Sequence, residues 1–100
     1  MKRFPEYSQR ADRDLVSARN WYDRQRSELG DRFLRAVEEA VATVCERPNS
    51  FPLSRRNIRS IMCKKFPYRV YFRVLEDRIH VLAVYHTARS PRRWDDPNRN

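Results

Sequence analysis

The spacing of apolar residues changes character midway along this chain. From Gln9 to Tyr22 it is helical: Ala11, Leu15, Ala18 and Tyr22 recur four, three and four apart, along one face of a helix. Arg13, Asn20 and Arg24 fall on the opposite face. Ser8 stands where an N-cap belongs, since its hydroxyl can accept an orphan N–H of the first turn. The helix is expected to stop between Ser27 and Gly30, where the chain's single glycine suits a left-handed cap. A second helix is expected from about Asp31. Phe33, Leu34, Val37, Ala40, Val41, Val44 and Cys45 form a wide apolar stripe, and Pro48 ends it because proline cannot continue a helix. So short a connection predicts an antiparallel helical hairpin.

Beyond a loop over residues 49–57, with Pro52 and the pair Arg55-Arg56, the period becomes two. Residues 58–64, 68–75 and 78–86 read as strands, the first the weakest. In the second, Val70, Phe72 and Val74 alternate with Arg69, Tyr71 and Arg73, so one face is apolar and the other basic. The third is nearly all apolar, which suits the centre of a sheet, and Glu76-Asp77 is the expected turn between them. Residues 2–8 suit an edge strand, given Pro5. Ser90 and Pro91 suit the cap and first position of a short turn carrying Trp94, and residues 95–100 read as a loose tail. The expected fold is α+β, in the order β-α-α-β-β-β: a helical hairpin on one face of a small antiparallel sheet. The chain forms a single domain over residues 1–94.

Charge sharpens this picture. Lys and Arg number 22 against 13 Asp and Glu, a formal net charge of +9, which attracts polyanions or acidic protein segments. Only Lys2, Lys64 and Lys65 are lysine. Arginine binds phosphate and carboxylate bidentately, although an arginine-rich genome would give the same bias. Cys45 and Cys63 lie in different elements without metal-ligand spacing and read as small core thiols of a reducing compartment. Neither a metal nor a cofactor is implied. No apolar run follows Met1-Lys2-Arg3, so neither a signal peptide nor a membrane span is expected, and a cytoplasmic location follows.

In this order, several segments resemble the RelE/ParE superfamily of toxins from bacterial type II toxin–antitoxin systems. They are Asp14-Leu15, Trp21-Tyr22, Leu29-Gly30-Asp31 with Phe33-Leu34, Pro48, Phe66-Pro67-Tyr68-Arg69-Val70-Tyr71-Phe72, and Val81 through Trp94 with His86 and Arg89. The resemblance spans about residues 8–94. It implies a basic toxin that stops growth and is neutralised by a cognate antitoxin, whose acidic C-terminal segment wraps it. It also implies that operator DNA is bound only through the antitoxin.

The resemblance offers two targets. ParE-like members inhibit DNA gyrase by binding. RelE-like members cleave mRNA on the ribosome, which needs phosphate stabilisation and proton transfer. For that chemistry the resemblance points to Arg69, His86 and Arg89. Arg59, Lys64, Lys65, Tyr71, Arg73 and Trp94 are the candidates for holding nucleic acid or another target. RelE-type nucleases carry lysines on the strand before the Phe-Pro-Tyr turn. Here that strand offers Arg59, Ser60 and Met62, with Lys64 and Lys65 only at its end. Each residue has a structural alternative. His86 and His80 suit hydrogen-bonded sheet positions, Arg69 and Arg73 a solvated face, and Arg89 a tie to Asp95. Tyr71 suits packing between arginine stems, and Trp21 and Trp94 suit packing roles.

Overall fold

The computed structural model describes residues 3–88. The elements are β1 (Phe4–Tyr7), α1 (Gln9–Gln25), α2 (Leu29–Glu46), β2 (Arg59–Met62), β3 (Tyr68–Val74) and β4 (Arg78–His86), with single 3-10 turns at Pro48–Ser50 and Arg55–Asn57. The two helices pack on one face of a four-stranded sheet ordered β1-β4-β3-β2. The expected α+β order holds, with one correction. β2, β3 and β4 are antiparallel, but β1 joins β4 in parallel, so the sheet is mixed. The expected turn at Ser90–Pro91, with Trp94 and the tail, lies outside the described residues.

The helices follow their sequence signals closely. Ser8 caps α1, its Oγ accepting from the Ala11 N–H at 3.0 Å. The same hydroxyl donates to the Leu82 carbonyl at 2.9 Å, and the Ser8 N–H donates to the Val81 carbonyl at 3.0 Å. One residue thus starts a helix and ties it to β4. α2 lays Phe33, Val37, Val41 and Val44 onto the sheet, each at most 3% exposed. Burying such side chains contributes about 1.5–3 kcal/mol each.

Gly30 does not act as the left-handed cap expected of it. Glu28 takes that conformation (φ 72°), and Gly30 lies inside the first turn of α2. Glycine serves there by close approach. A Cβ would meet the Arg19 carbonyl oxygen and the Asp23 Oδ1, both at 2.6 Å. The Gly30 N–H instead donates to Asp23 Oδ1 at 2.8 Å, so α1 supplies the side-chain cap that Glu28 does not give to α2.

A register shift sets which way β4 side chains point. Tyr71 pairs with Ala83 and Phe72 with Val81, leaving Leu82 unpaired as a bulge. Before it, Ile79 and Val81 face the helices. After it, Val84 does. β1 extends only as far as Val81, and α1 takes over the edge beyond. The bulge carbonyl is met by Ser8, and the Val84 N–H donates to Asp14 Oδ2 at 2.9 Å.

Candidate functional site

Three surfaces hold the residues singled out from the sequence. The first is the sheet face away from the helices. Register places Met62, Arg69 and Tyr85 in one row across it, Ser60, Tyr71 and Ala83 in the next, and Arg73 with His80 beyond. Arg69 Nη1 donates to Ser60 Oγ at 3.1 Å, and Arg73 Nε to the Arg56 carbonyl at 3.3 Å. These bonds engage the guanidinium groups themselves and fix them on the sheet face. Tyr71 is 3% exposed, its ring 5.8 Å from that of Tyr85, so it packs between neighbours and offers no open ring face. Arg10 of α1 reaches around the β4 edge to lie 5.0 Å over Tyr85. At the β1 end, Glu6 accepts from Arg78 Nε and His80 Nδ1, each at 3.0 Å. Those two partners, Arg78 foremost, hold the Glu6 carboxyl below the ordinary carboxylate range.

The second surface is a groove of about 370 Å³ beside α1, lined by Asp14, Ser17, Trp21, Arg24 and His86 among others. His86 is the partner of Tyr68 across the strands, and their rings meet edge to face at 5.2 Å. Tyr68 belongs to the core, so His86 is on the helix side, opposite Arg69. Its Nδ1 accepts from the Ala88 N–H at 3.0 Å, which in the neutral ring leaves the proton on Nε2. The bulge at Leu82 causes this placement. Strict alternation from His80 would have turned His86 outward, beside Arg69.

The third surface is a groove of about 790 Å³ between α2 and the turn over residues 64–67. Lys64 and Lys65 line it, facing Arg32 and Arg35 of α2. Phe66 sits below them, its ring edge-on to Tyr22 at 5.1 Å and to Phe33 at 5.6 Å. Arg59 belongs to none of the three surfaces. Its Nη1 donates to the Phe51 carbonyl at 2.7 Å and fastens the loop before β2.

Of the three residues expected to share a nuclease site, the structure describes two. Arg69 and His86 face opposite sides of the sheet, and Arg89, like Trp94, lies outside the described residues. Sequence reasoning missed Arg10, Arg32, Arg35 and the Glu6–Arg78–His80 group. Arg32 and Arg35 are three apart, hence neighbours on one helix face. The turn opposite them is visible only in three dimensions.

Cys45 and Cys63 are free and buried, and burial pushes the Cys63 thiol up to about 11. Among the described residues no group of three His, Cys, Asp or Glu is placed to hold a metal. No helix among them is long and apolar enough to cross a membrane.

Fold and surfaces together define a small basic α+β domain, a helical hairpin on a four-stranded sheet. A comparison with protein families narrows this: residues 6–91 match the ParE toxin of the type II toxin–antitoxin system parDE. The chain belongs to that family. It is similar in fold to a solved chain from the chromosomal ParDE TA system of P. aeruginosa, at 18% identity and a TM-score of 0.72, covering 85% of this chain and 96% of that one. A search of curated proteins finds no match.

Proposed function

We propose that this ParE-family toxin arrests growth by binding DNA gyrase, with the basic outer face of the sheet, Arg69 and Arg73 foremost, as the surface that meets the enzyme and its DNA. A cognate antitoxin neutralises it. One observation carries the choice of binding over cleavage: Arg69 and His86 lie on opposite faces of the sheet. A ribosome-dependent nuclease needs a phosphate-binding cation and a proton donor at one phosphate. The outward histidine is His80, and its Nδ1 is engaged by Glu6.

The test is induction of the chain without antitoxin, alongside a supercoiling assay with purified gyrase. Growth arrest, an induced DNA-damage response and lost supercoiling are expected, with Arg69→Ala/Arg73→Ala much weaker in all three. New 5′ ends on ribosome-bound messages, with gyrase unaffected, would replace this reading by mRNA cleavage.

A further inference from the structure

We propose that the groove between α2 and the turn over residues 64–67 binds a nucleoside polyphosphate. Its cationic rim takes the phosphates, its apolar floor the base, and Glu39 the ribose hydroxyls. The site is separate from the outer sheet face, and the proposal does not depend on the toxin reading above.

Four cations rim the groove. Arg32 and Arg35 stand one turn apart on α2, and Lys64 and Lys65 sit across from them. All four are exposed. No ion pair within 4.0 Å engages any of them among the described residues, whereas Arg19 and Arg78 have acidic partners. Like charges converging on one concavity raise its potential, and an anionic ligand relieves that repulsion. Phosphate suits this mixture of cations. Its oxygens take a guanidinium in pairs and an ammonium as a point charge, and consecutive phosphates carry charge enough for several.

The rest of the lining selects what the phosphates are attached to. Phe66, Leu29 and Ala36 form a half-buried apolar floor, which inorganic phosphates would leave wet. The Phe66 ring is fixed by near-perpendicular contacts, at 81° to Tyr22 and 75° to Phe33, so neither ring stacks on it. A flat body such as a nucleobase covers a surface of this kind. Glu39 is the single carboxylate in the lining. It repels phosphate but accepts from vicinal hydroxyls, the bond that an acidic residue makes to ribose in dinucleotide sites.

The order of these groups along α2 gives the groove a polarity. Arg32, Arg35, Ala36 and Glu39 follow the three-and-four spacing of one helix face. The carboxylate therefore lies about 10 Å along the axis from Arg32. A ligand with phosphates at one end and a sugar at the other matches that arrangement, whereas a uniformly anionic one has nothing for the carboxylate end. The groove's volume, about 790 Å³, lies within the range of ligand clefts.

The test uses purified full-length protein and ATP in magnesium-free buffer. Inorganic triphosphate, adenosine, 2′,3′-dideoxy-ATP and a single-stranded oligonucleotide are the controls. ATP should bind more tightly than any of them, raise the melting temperature, and shift the amide resonances of Lys64, Lys65 and Phe66. Arg32→Glu/Arg35→Glu, on an exposed helix face, should weaken ATP roughly tenfold, with an unchanged melting temperature of the free protein as the check on folding. Glu39→Gln should weaken ATP severalfold and leave the dideoxy nucleotide unaffected. Failure of ATP to bind at millimolar concentration would overturn the proposal. So would triphosphate or the oligonucleotide binding as tightly as ATP, shifts confined to Arg69 through Arg73, or equal effects of Glu39→Gln on the two nucleotides. None of these readouts involves gyrase or growth, so the toxin reading stands or falls separately.

Discussion

The two faces of the sheet divide the labour of this molecule. The helix side is dry and aromatic: Phe33 is fully buried, with rings of Tyr22, Phe66 and Tyr68 at 4.8–5.6 Å around it. The outer side carries Arg69, Arg73, Arg78 and His80, tied by hydrogen bonds to Ser60, the Arg56 carbonyl and Glu6. The first face carries most of the buried apolar area that holds a chain of this size together. The second is free to be charged. Substitutions on the helix side should therefore cost stability, and those on the outer side should cost function.

The largest effect is expected for Phe33→Ala, which empties the centre of the ring cluster. Loss of about 3–5 kcal/mol should appear as a lowered urea midpoint or an unfolded chain. Gly30→Ala comes next and tests the sign of two opposed effects. Alanine gains roughly 1 kcal/mol in helix propensity. Its Cβ, however, would press on the Arg19 carbonyl, and overpacking against backbone costs about 1–3 kcal/mol, besides disturbing the bond to Asp23. Net destabilisation is expected in thermal melts; net stabilisation would show that the helices separate easily.

Asp14→Ala should cost about 1–3 kcal/mol, because the Val84 N–H loses its acceptor. Faster amide exchange at Val84 would locate the effect. Arg73→Ala should move stability by no more than about 0.5 kcal/mol while reducing growth arrest. A large stability loss there would erase the contrast between the faces.

The faces should also respond to opposite ends of the pH scale. Burial raises Cys63 from 9.0 to about 11 and Tyr7 from 10.0 to about 12. Both groups are held neutral in the fold, so their contribution is complete below the unfolded values and falls away as pH rises toward the folded ones. Glu6 is shifted the other way. Its contribution is present above its ordinary 4.5 and is lost as pH falls through the depressed folded value. Urea midpoints against pH should show Cys63→Ala trimming the alkaline decline and Glu6→Gln trimming the acid one. The acid effect is the smallest of these, since Glu6 is exposed.

The sequence revealed whatever local pattern determines. The apolar stripe of α2, the Ser8 cap, the alternation of β3 and the basic outer face were all legible from spacing and residue type. Three features were not. The parallel placement of β1 is settled by partners more than seventy residues away in the chain, and four residues carry no record of it. The role of Gly30 comes from the neighbouring helix, not from its own turn. The Leu82 bulge inverts the last part of β4 without any glycine or proline to announce it. That inversion put His86 and Arg69 on opposite faces of the sheet.

The parallel pairing of β1 with β4 has a consequence for synthesis. Phe4–Tyr7 can find its place only beside Arg78–Val81, and β4 is also the strand on which β3 rests. A ribosome that has made both helices, β2 and β3 has still not made the strand that joins the first edge to the rest. Long-range pairing of this kind is completed late. A prematurely terminated message thus yields fragments lacking the central strand, and the basic face is assembled only once translation has run nearly the whole length of the domain.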